Sequence, residues 1–482
     1  MGSNRRNFIK QAVLGAGILS TGFVSCTNSG EKREKIQVER SRVQLLNMSG
    51  YAAPKLGKVR IGIIGLGMRG RGAVRRMCHI EGVEIVALCD KLADRVDKQL
   101  KVVTEKGLPL PKKVTGSEEA WKAICEDDGI DLVYICTPWE WHTPMAVYAM
   151  ENGKHTTVEV PAARTIDECW QLVETSERTR KHCMMLENAC YDFFELQVLN
   201  MVRQGYFGEI IHCEGAYIHD LRSLNFAKNG YVDMWRLKEN ASRNGNLYPT
   251  HGLGPVCQVM NINRGDKMVY LVAMQSDDFH MAKLAKEKTA EDSFYNEFVG
   301  NNYRGNMNTT IIRTAKGKTI MLHHDVTSPR PYSRIHLVSG TKGVAQKYPL
   351  PGRIATEHEW FDEAEMKKLE EQYTPELVKL VRKIAEQVGG HGGIDFIMDW
   401  RLIDCLRNRL PLDQDVYDAA LWSSISPLSE WSIANRSNSI DVPDFTCGAW
   451  KNNTPVSLSL EGGATTKARN LGEADASKQL RI

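Results

Sequence analysis

The sequence predicts an α/β protein of two unlike parts: an N-terminal domain on a doubly wound parallel sheet, then a C-terminal α+β domain with a large, mostly antiparallel open sheet. Three observations carry this. First, the apolar run Val59-Arg60-Ile61-Gly62-Ile63-Ile64 feeds into Gly65-Leu66-Gly67-Met68-Arg69-Gly70, and a second apolar run, Val83 to Cys89, ends on Asp90. Strand, glycine turn, helix, strand and acid in that order make a dinucleotide-binding (Rossmann) fingerprint, which a lone G-x-G-x-x-G would not. Second, residues 58–190 alternate apolar strand patterns with helical ones, the mark of a parallel sheet covered by helices. Third, after about residue 191 the strand-like runs lengthen and the helices between them thin out.

In the first domain strands are expected at 59–65, 83–89, 132–137, 155–160 and 183–188, and helices near 69–79, 92–105, 118–127, 143–152 and 166–181. The last helix opens on a capping box, Thr165 with Glu168. Each fingerprint residue has a physical task. Gly65 permits the tight turn, Gly67 lets backbone approach a pyrophosphate, and Gly70 lets helix pack on strand. The helix N-terminus then faces the phosphates. Asp90 accepts from a ribose 2′-hydroxyl and repels a 2′-phosphate, which favours NAD over NADP. Ligands of such sheets sit at the carboxyl ends of the strands, which singles out Thr137-Pro138-Trp139, Glu159-Val160-Pro161 and Glu187-Asn188. The group Trp139-Glu140-Trp141-His142 directly follows a strand and reads equally as a ligand contact or as an aromatic packing corner.

In the second domain a helix is expected at 193–204, strands at 209–217, 268–276, 307–315, 318–325 and 334–339, and helical segments at 361–388, 394–408 and 414–434. Three clusters there carry chemistry-bearing side chains. They are Glu214-Gly215-Ala216-Tyr217-Ile218-His219-Asp220-Leu221-Arg222, Asn246-Leu247-Tyr248-Pro249-Thr250-His251-Gly252 and Ser328-Pro329-Arg330-Pro331-Tyr332-Ser333. Tyr and His serve as acid, base and hydroxyl-recognising groups, and the prolines and glycines around them fix the loops. A fourth segment, Gly390-His391-Gly392-Gly393, opens a helix, and His391 reads either as a packing group or as a substrate contact. An exposed sheet face in this domain would favour a homodimer.

The 482 residues carry a net charge of +3, with 42% hydrophobic and 25% charged residues, so the chain buries large cores and shows no basic nucleic-acid footprint. Its 12 cysteines are scattered singly, as buried hydrophobes rather than a disulfide framework or a zinc site, and no metal is expected. Ahead of the fold, Asn4-Arg5-Arg6-Asn7-Phe8-Ile9-Lys10 reads as a twin-arginine export motif, followed by an apolar stretch, Ala12 to Val24, too short to span a membrane alone. Phe23-Val24-Ser25-Cys26 reads as a loose lipoprotein-processing site, which would put a lipid anchor on Cys26 and the protein in the periplasm or at a membrane. Residues 1–26 are thus a signal and 27–57 a tether. The NAD-binding domain is placed at 58–190, the substrate domain at 191–446 and a polar tail at 447–482.

Residues 58–446 resemble the glucose–fructose oxidoreductase and inositol dehydrogenase superfamily, and within it glycoside hydrolase family 109, the NAD-dependent α-N-acetylgalactosaminidases. The likeness lies in Gly65-Leu66-Gly67-Met68-Arg69-Gly70, Thr137-Pro138-Trp139-Glu140-Trp141-His142, Glu159-Val160-Pro161 and Met185-Leu186-Glu187-Asn188. It continues in Tyr248-Pro249-Thr250-His251-Gly252, Arg330-Pro331-Tyr332-Ser333 and Gly390-His391-Gly392-Gly393. Sugar dehydrogenases of the superfamily carry Glu-Lys-Pro where this chain has Glu159-Val160-Pro161. Valine transfers no proton, and the glycosidase branch shares the replacement. The resemblance implies that Met68, Arg69, Asp90, Trp139, Glu140, Trp141, His142, Glu159, Val160 and Asn188 contact NAD. It implies that Tyr217, Arg222, Tyr248, Pro249, Thr250, His251 and Tyr332 line the sugar site.

It also implies a mechanism: hydride leaves C3 of the sugar for NAD⁺, the C2 proton is lost with the anomeric substituent, water adds at C1, and the hydride returns, giving net retention. His251 is the expected C3-hydroxyl base, with Tyr248 sharing the relay or taking the C2 proton. The expected substrate is a terminal α-linked N-acetylgalactosamine. Two other readings stand beside this one: a sugar dehydrogenase with net redox turnover, and a sugar-binding protein without turnover.

Overall fold

The computed structural model describes residues 38–469; the export motif, the apolar stretch Ala12 to Val24, Cys26 and the residues after 469 lie outside the described residues. Strands β1 (Val59–Ile64), β2 (Val83–Cys89), β3 (Lys112–Val114), β4 (Leu132–Ile135), β5 (His155–Val158) and β6 (Cys183–Met185) form one parallel sheet in the order β3-β2-β1-β4-β5-β6. This is the dinucleotide-binding order, and its direction reverses between β1 and β4, which places the ligand crevice at their carboxyl ends. Helices Met68–Cys78, Ala93–Glu105, His142–Glu151 and Ile166–Thr179 connect the strands. The last begins on the Thr165–Glu168 capping box, with both reciprocal hydrogen bonds formed.

The second sheet has eight strands. They are β7 (Ile210–Ile218), β8 (Met268–Gln275), β9 (Asn308–Thr314), β10 (Thr319–Asp325), β11 (Leu337–Gly340), β12 (Val344–Gln346), β13 (Arg353–Ala355) and β14 (Ile440–Asp441), in the order β13-β12-β11-β7-β10-β9-β8-β14. Only the β7–β10 pair is parallel. Alternation puts Cys213, Leu271, Ile312, Ile320 and Leu322 on a buried face, while Tyr270, Met274 and Ile311 reach solvent on the other.

The helix Thr250–Met260 lies on the buried face of β7 because two glycines allow backbone to touch backbone. A Cβ on Gly215 would stand 2.3 Å from the Gly252 carbonyl oxygen, and one on Gly252 would stand 2.2 Å from the Ala216 nitrogen. Neither obstacle is a side chain that could swing away.

The two parts interlock. Helices Ile394–Asn408 and Val416–Ala434 follow the second sheet in sequence but return to the first. Arg76 Nε donates to Asp399 at 2.6 Å, Tyr134 donates to the same carboxylate at 2.9 Å, and the Ala162 amide donates to Ser423 Oγ at 3.1 Å. The expected single helical segment at 361–388 is two helices, Glu363–Tyr373 and Glu376–Val388, parted at Thr374-Pro375, where proline forces the preceding residue out of helical backbone. Within the expected tether, residues from Val38 onward are docked: Arg40 pairs with Asp167 and Glu174, Arg42 with Glu177, and Trp170 Nε1 donates to the Val38 carbonyl. The expected polar tail is likewise held as far as Arg469. Buried Asp404 accepts from the amides of Ala464, Thr465 and Thr466, and Ala468 bridges to Ile80.

Gly252→Ala tests the helix seat. Forcing a methyl group against backbone should cost about 1–3 kcal/mol in denaturant unfolding. An unchanged unfolding midpoint would mean that the helix retreats from β7 freely.

Candidate active site

The three fingerprint glycines differ in what holds them. Gly65 has φ +86°, and a Cβ there would meet the Cys136 carbonyl at 2.7 Å; one on Gly70 would meet the Gly65 carbonyl at 1.8 Å. The protein's own packing thus requires both. At Gly67 the nearest atom is Arg95 Nη1, at 3.5 Å. Gly67 is also the N-cap of the helix Met68–Cys78, with no side-chain cap and no acid in the first turn, so the helix offers its amides to an anion. Buried Asp90 braces the turn, accepting from the amides of Leu66 at 2.7 Å and Leu92 at 2.9 Å. A glycine-walled groove, free amides and an acid at the second strand end fit a dinucleotide.

Arg69 brackets the next part of the groove. Its Nε donates to Glu159 at 2.7 Å, and its Nη1 donates to Asp395 at 3.0 Å and lies 3.1 Å from His391 Nδ1. Asn188 donates to the same Asp395 at 2.5 Å. Burial works to raise the Asp395 carboxyl, but Arg69, His391 and Arg76 hold it well below its ordinary value. Of the expected cofactor residues, Arg69, Glu159 and Asn188 therefore come together. Val160, beside Glu159, is buried and joined to Pro161 by a cis peptide. Met68 is half-buried at the helix start, Glu140 is exposed and Trp141 is half-buried. Trp139 stacks on Tyr248, with ring centroids 5.9 Å apart. His142 is turned inward, Nδ1 lying 2.7 Å from the Pro161 carbonyl and Nε2 2.8 Å from that of Thr137. It ties two strand-end loops together, and burial lowers its pKa.

The sugar-side residues surround one hydrogen bond. His251, at the start of the helix seated on β7, places Nδ1 2.6 Å from Oε1 of Glu187, a fully buried carboxylate that also accepts from the Ala189 amide. Burial works to raise Glu187, yet the His251 imidazole, the Thr250 hydroxyl and the Ala189 amide bring it below its ordinary value. Tyr217 and Tyr248 pack beside the imidazole, with centroids 5.4 and 5.0 Å from it and 4.6 Å from each other. Tyr332 meets Tyr217 at 6.2 Å and accepts from Arg334 at 3.2 Å. Pro249 caps the helix that Thr250 and His251 open. Burial raises the pKa of both Tyr217 and Tyr248, so both are phenols at neutral pH.

Arg222, expected at the sugar site, is engaged locally. It forks onto Asp220, two residues away, at 2.9 and 2.8 Å, on a partly exposed turn. The arginine in the cluster is Arg236, 7% exposed, with its guanidinium carbon 4.8 Å from the Tyr248 ring centre and 5.4 Å from that of Trp139. It donates to the Tyr231 phenol at 2.8 Å, and no carboxylate neutralises it among the described residues. No motif marks Arg236 in the sequence. Glu187 was within reach of the strand-end rule, but its partnership with His251 was not.

The segment bearing Arg236 lies across the cofactor domain. Asp233 accepts from Lys91, next to Asp90, at 2.9 Å; Trp235 meets Trp139 edge-on at 5.1 Å; Glu239 accepts from Arg164 at 2.8 Å. Beneath it sits a small separate core that includes Phe226, Met234, Leu237, Met281, Tyr295 and Phe298.

Comparison with known proteins agrees with this geometry. Residues 59–187 match the oxidoreductase family with an NAD-binding Rossmann fold, and residues 191–452 match the C-terminal domain of glycosyl hydrolase 109. The chain belongs to glycoside hydrolase family 109. A family 109 protein of Shewanella pealeana is 47% identical, covering 94% of this chain and 99% of its own. A Shewanella oneidensis relative named alpha-N-acetylgalactosaminidase is 46% identical, covering 94% and 98%. Among solved structures, myo-inositol dehydrogenase of Lactobacillus casei in complex with NAD(H) and myo-inositol shares the fold at 16% identity and a TM-score of 0.53, covering 81% of this chain and 99% of that one. Aldose-aldose oxidoreductase of Caulobacter crescentus does so at 17% and 0.56, covering 80% and 99%. This family 109 protein is a glycoside hydrolase with an NAD-binding Rossmann domain.

If the segment 233–239 covers the cofactor, Trp235→Ala should speed exchange of bound NAD for labelled NAD about tenfold. Asp233→Ala should speed it no more than about fivefold, its ion pair being exposed. Exchange from Trp235→Ala at the unaltered rate would show that the segment does not cover the groove.

Proposed function

We propose that the protein hydrolyses terminal α-linked N-acetylgalactosamine by transient oxidation of the sugar, with net retention. The observation that carries this reading is the Glu187–His251 pair among Tyr217, Tyr248 and Tyr332. An ordinary glycosidase presents two carboxyl groups to the glycosidic bond. Here the carboxylate at the centre of the cluster is fully buried and aimed at an imidazole. That arrangement builds a base. The 46% identity to a relative named alpha-N-acetylgalactosaminidase supports the choice of sugar.

The glycine turn with Asp90, Arg69, Glu159 and Asn188 would hold NAD. When bound, it supplies reversible hydride acceptance at sugar C3, which acidifies the neighbouring C2 hydrogen and permits loss of the anomeric substituent. The remaining work falls to side chains. Glu187 fixes the imidazole so that Nε2 of His251 receives the C3-hydroxyl proton, and stabilises the imidazolium that forms. Tyr248 is held as a phenol in the resting site and, beside the His251 ring, shares the proton relay or takes the C2 proton once its own has passed on. Arg236, unpaired by any carboxylate among the described residues, stabilises negative charge growing on a sugar oxygen. Val160 leaves no lysine at the strand end to drive a net dehydrogenase. Export by the twin-arginine route is part of the proposal, resting on Arg5-Arg6 and the apolar stretch that follows.

The test is turnover of an aryl α-N-acetylgalactosaminide deuterated at C2, in ordinary water with no added cofactor. Aryl release with loss of deuterium is expected. Release with deuterium fully kept would sink the redox route, and NADH accumulating with free sugar would move the protein to the dehydrogenases. His251→Ala should lose about 10²–10⁴-fold in kcat with NAD still bound, and Glu187→Gln about 10²-fold or more. Near-normal turnover in His251→Ala would remove it as the base.

A further inference from the structure

The cluster around His251 leaves one sequence feature unused, the run Gly390-His391-Gly392-Gly393. All four residues have positive φ: +91°, +46°, +73° and +107°. For histidine this is an uncommon conformation, retained where the surroundings impose it. They do so here: His391 Nδ1 lies 3.0 Å from Asp395 and 3.1 Å from Arg69, while a Cβ on Gly390 would press on the Asp395 side chain at 2.8 Å. The ring is nevertheless half-exposed. With Nδ1 held between Arg69 and Asp395, Nε2 is the polar atom left for a ligand.

His391 forms part of the wall of a cleft of about 720 Å³, within the size range of ligand sites. The cleft is also lined by Asp192, Phe194, Lys347, Leu350 and Pro351, and it excludes Tyr217, Tyr248 and His251. It is a neighbour of the catalytic cluster, one side chain removed on each flank. On one flank His391 reaches Arg69 and Asn188. On the other, Asp192 pairs with Lys347 and accepts from Arg334 at 2.8 Å, and Arg334 in turn donates to Tyr332.

We propose that this cleft is the subsite for the sugar unit to which the released sugar is attached. The inference rests on the glycosidase reading and extends it to the substrate's other half. The lining suits a pyranose, which has an apolar face and a hydroxyl rim. Leu350, 65% exposed, and Pro351 offer apolar surface, as does Phe194, whose ring is fixed against the backbone of Gly352. Lys347, Asp192 and His391 supply donors and acceptors at the edge of that surface. On this assignment a methyl aglycone leaves these groups uncontacted, whereas a second sugar meets both kinds.

The experiment compares kcat/KM of the intact NAD-loaded enzyme on two substrates: methyl α-N-acetylgalactosaminide, and a disaccharide in which N-acetylgalactosamine is α-linked to galactose. A glycopeptide bearing the same sugar on threonine is the third arm. Leu350→Ala, a change at an exposed position, should lower kcat/KM on the disaccharide about tenfold, with the methyl glycoside within about twofold. Phe194→Ala should repeat the pattern. Equal losses on both sugars, or no loss on the disaccharide, would overturn the subsite. A loss confined to the glycopeptide would overturn its assignment to a saccharide. Failure of the unaltered enzyme to cleave either sugar would remove the parent function and the subsite with it.

Discussion

The backbone contact between Gly215 and Gly252 sets where the rest of the site stands. It lets the helix Thr250–Met260 lie directly on β7 instead of a side chain's width away. His251 is thereby brought beside Tyr217 and within 2.6 Å of Glu187, which comes from the end of the other sheet. The hydrogen bond at the centre of the chemistry thus spans the junction of the two domains. Its length depends on how a helix sits on one sheet and where a strand ends in the other.

The two sides of the groove handle charge differently. On the cofactor side the arginines at the groove are matched within the protein: Arg69 with Glu159 and Asp395, Arg76 with Asp399. These pairs are complete without a ligand, and the uncapped helix leaves its first amides to face one. On the sugar side Arg236 leans on Tyr248, Trp139 and Tyr231 and has no carboxylate partner among the described residues. Removing a guanidinium from water without an anion is costly, and aromatic faces offset only part of that cost. A side chain kept so is best stabilised by what enters the site.

Much of this was legible in the chain, for identifiable reasons. The glycine fingerprint shows because backbone geometry leaves no other residue at Gly65 and Gly70. The strands of the parallel sheet show because burial on both faces makes them continuous apolar runs. Contacts between residues far apart in sequence were not legible. Arg222 has Asp220 two residues away in the sequence, but only the fold shows that Arg236 is carried among tyrosines with no acid beside it among the described residues. The short strands β3, β12, β13 and β14 are too brief to establish a period. The break at Thr374-Pro375 was readable from the proline alone. Residues 38–57 and 464–469 show no strand or helix period and look like loose ends until their partners, Glu174, Glu177 and Asp404, are seen waiting for them.

Those docked ends bear on how the molecule is made. The parallel sheet is encoded first, yet Asp395 and Asp399, helix Val416–Ala434 and the strand-like bridge of Ala468 to Ile80 all arrive from the last fifth of the polypeptide. A ribosome adding roughly 5–20 residues per second needs tens of seconds to reach them. Until then Arg69 has Glu159 alone, and Arg76 lacks Asp399. A chain that stops short of Asp395 therefore lacks two of the carboxylates that hold the arginines of the cofactor groove.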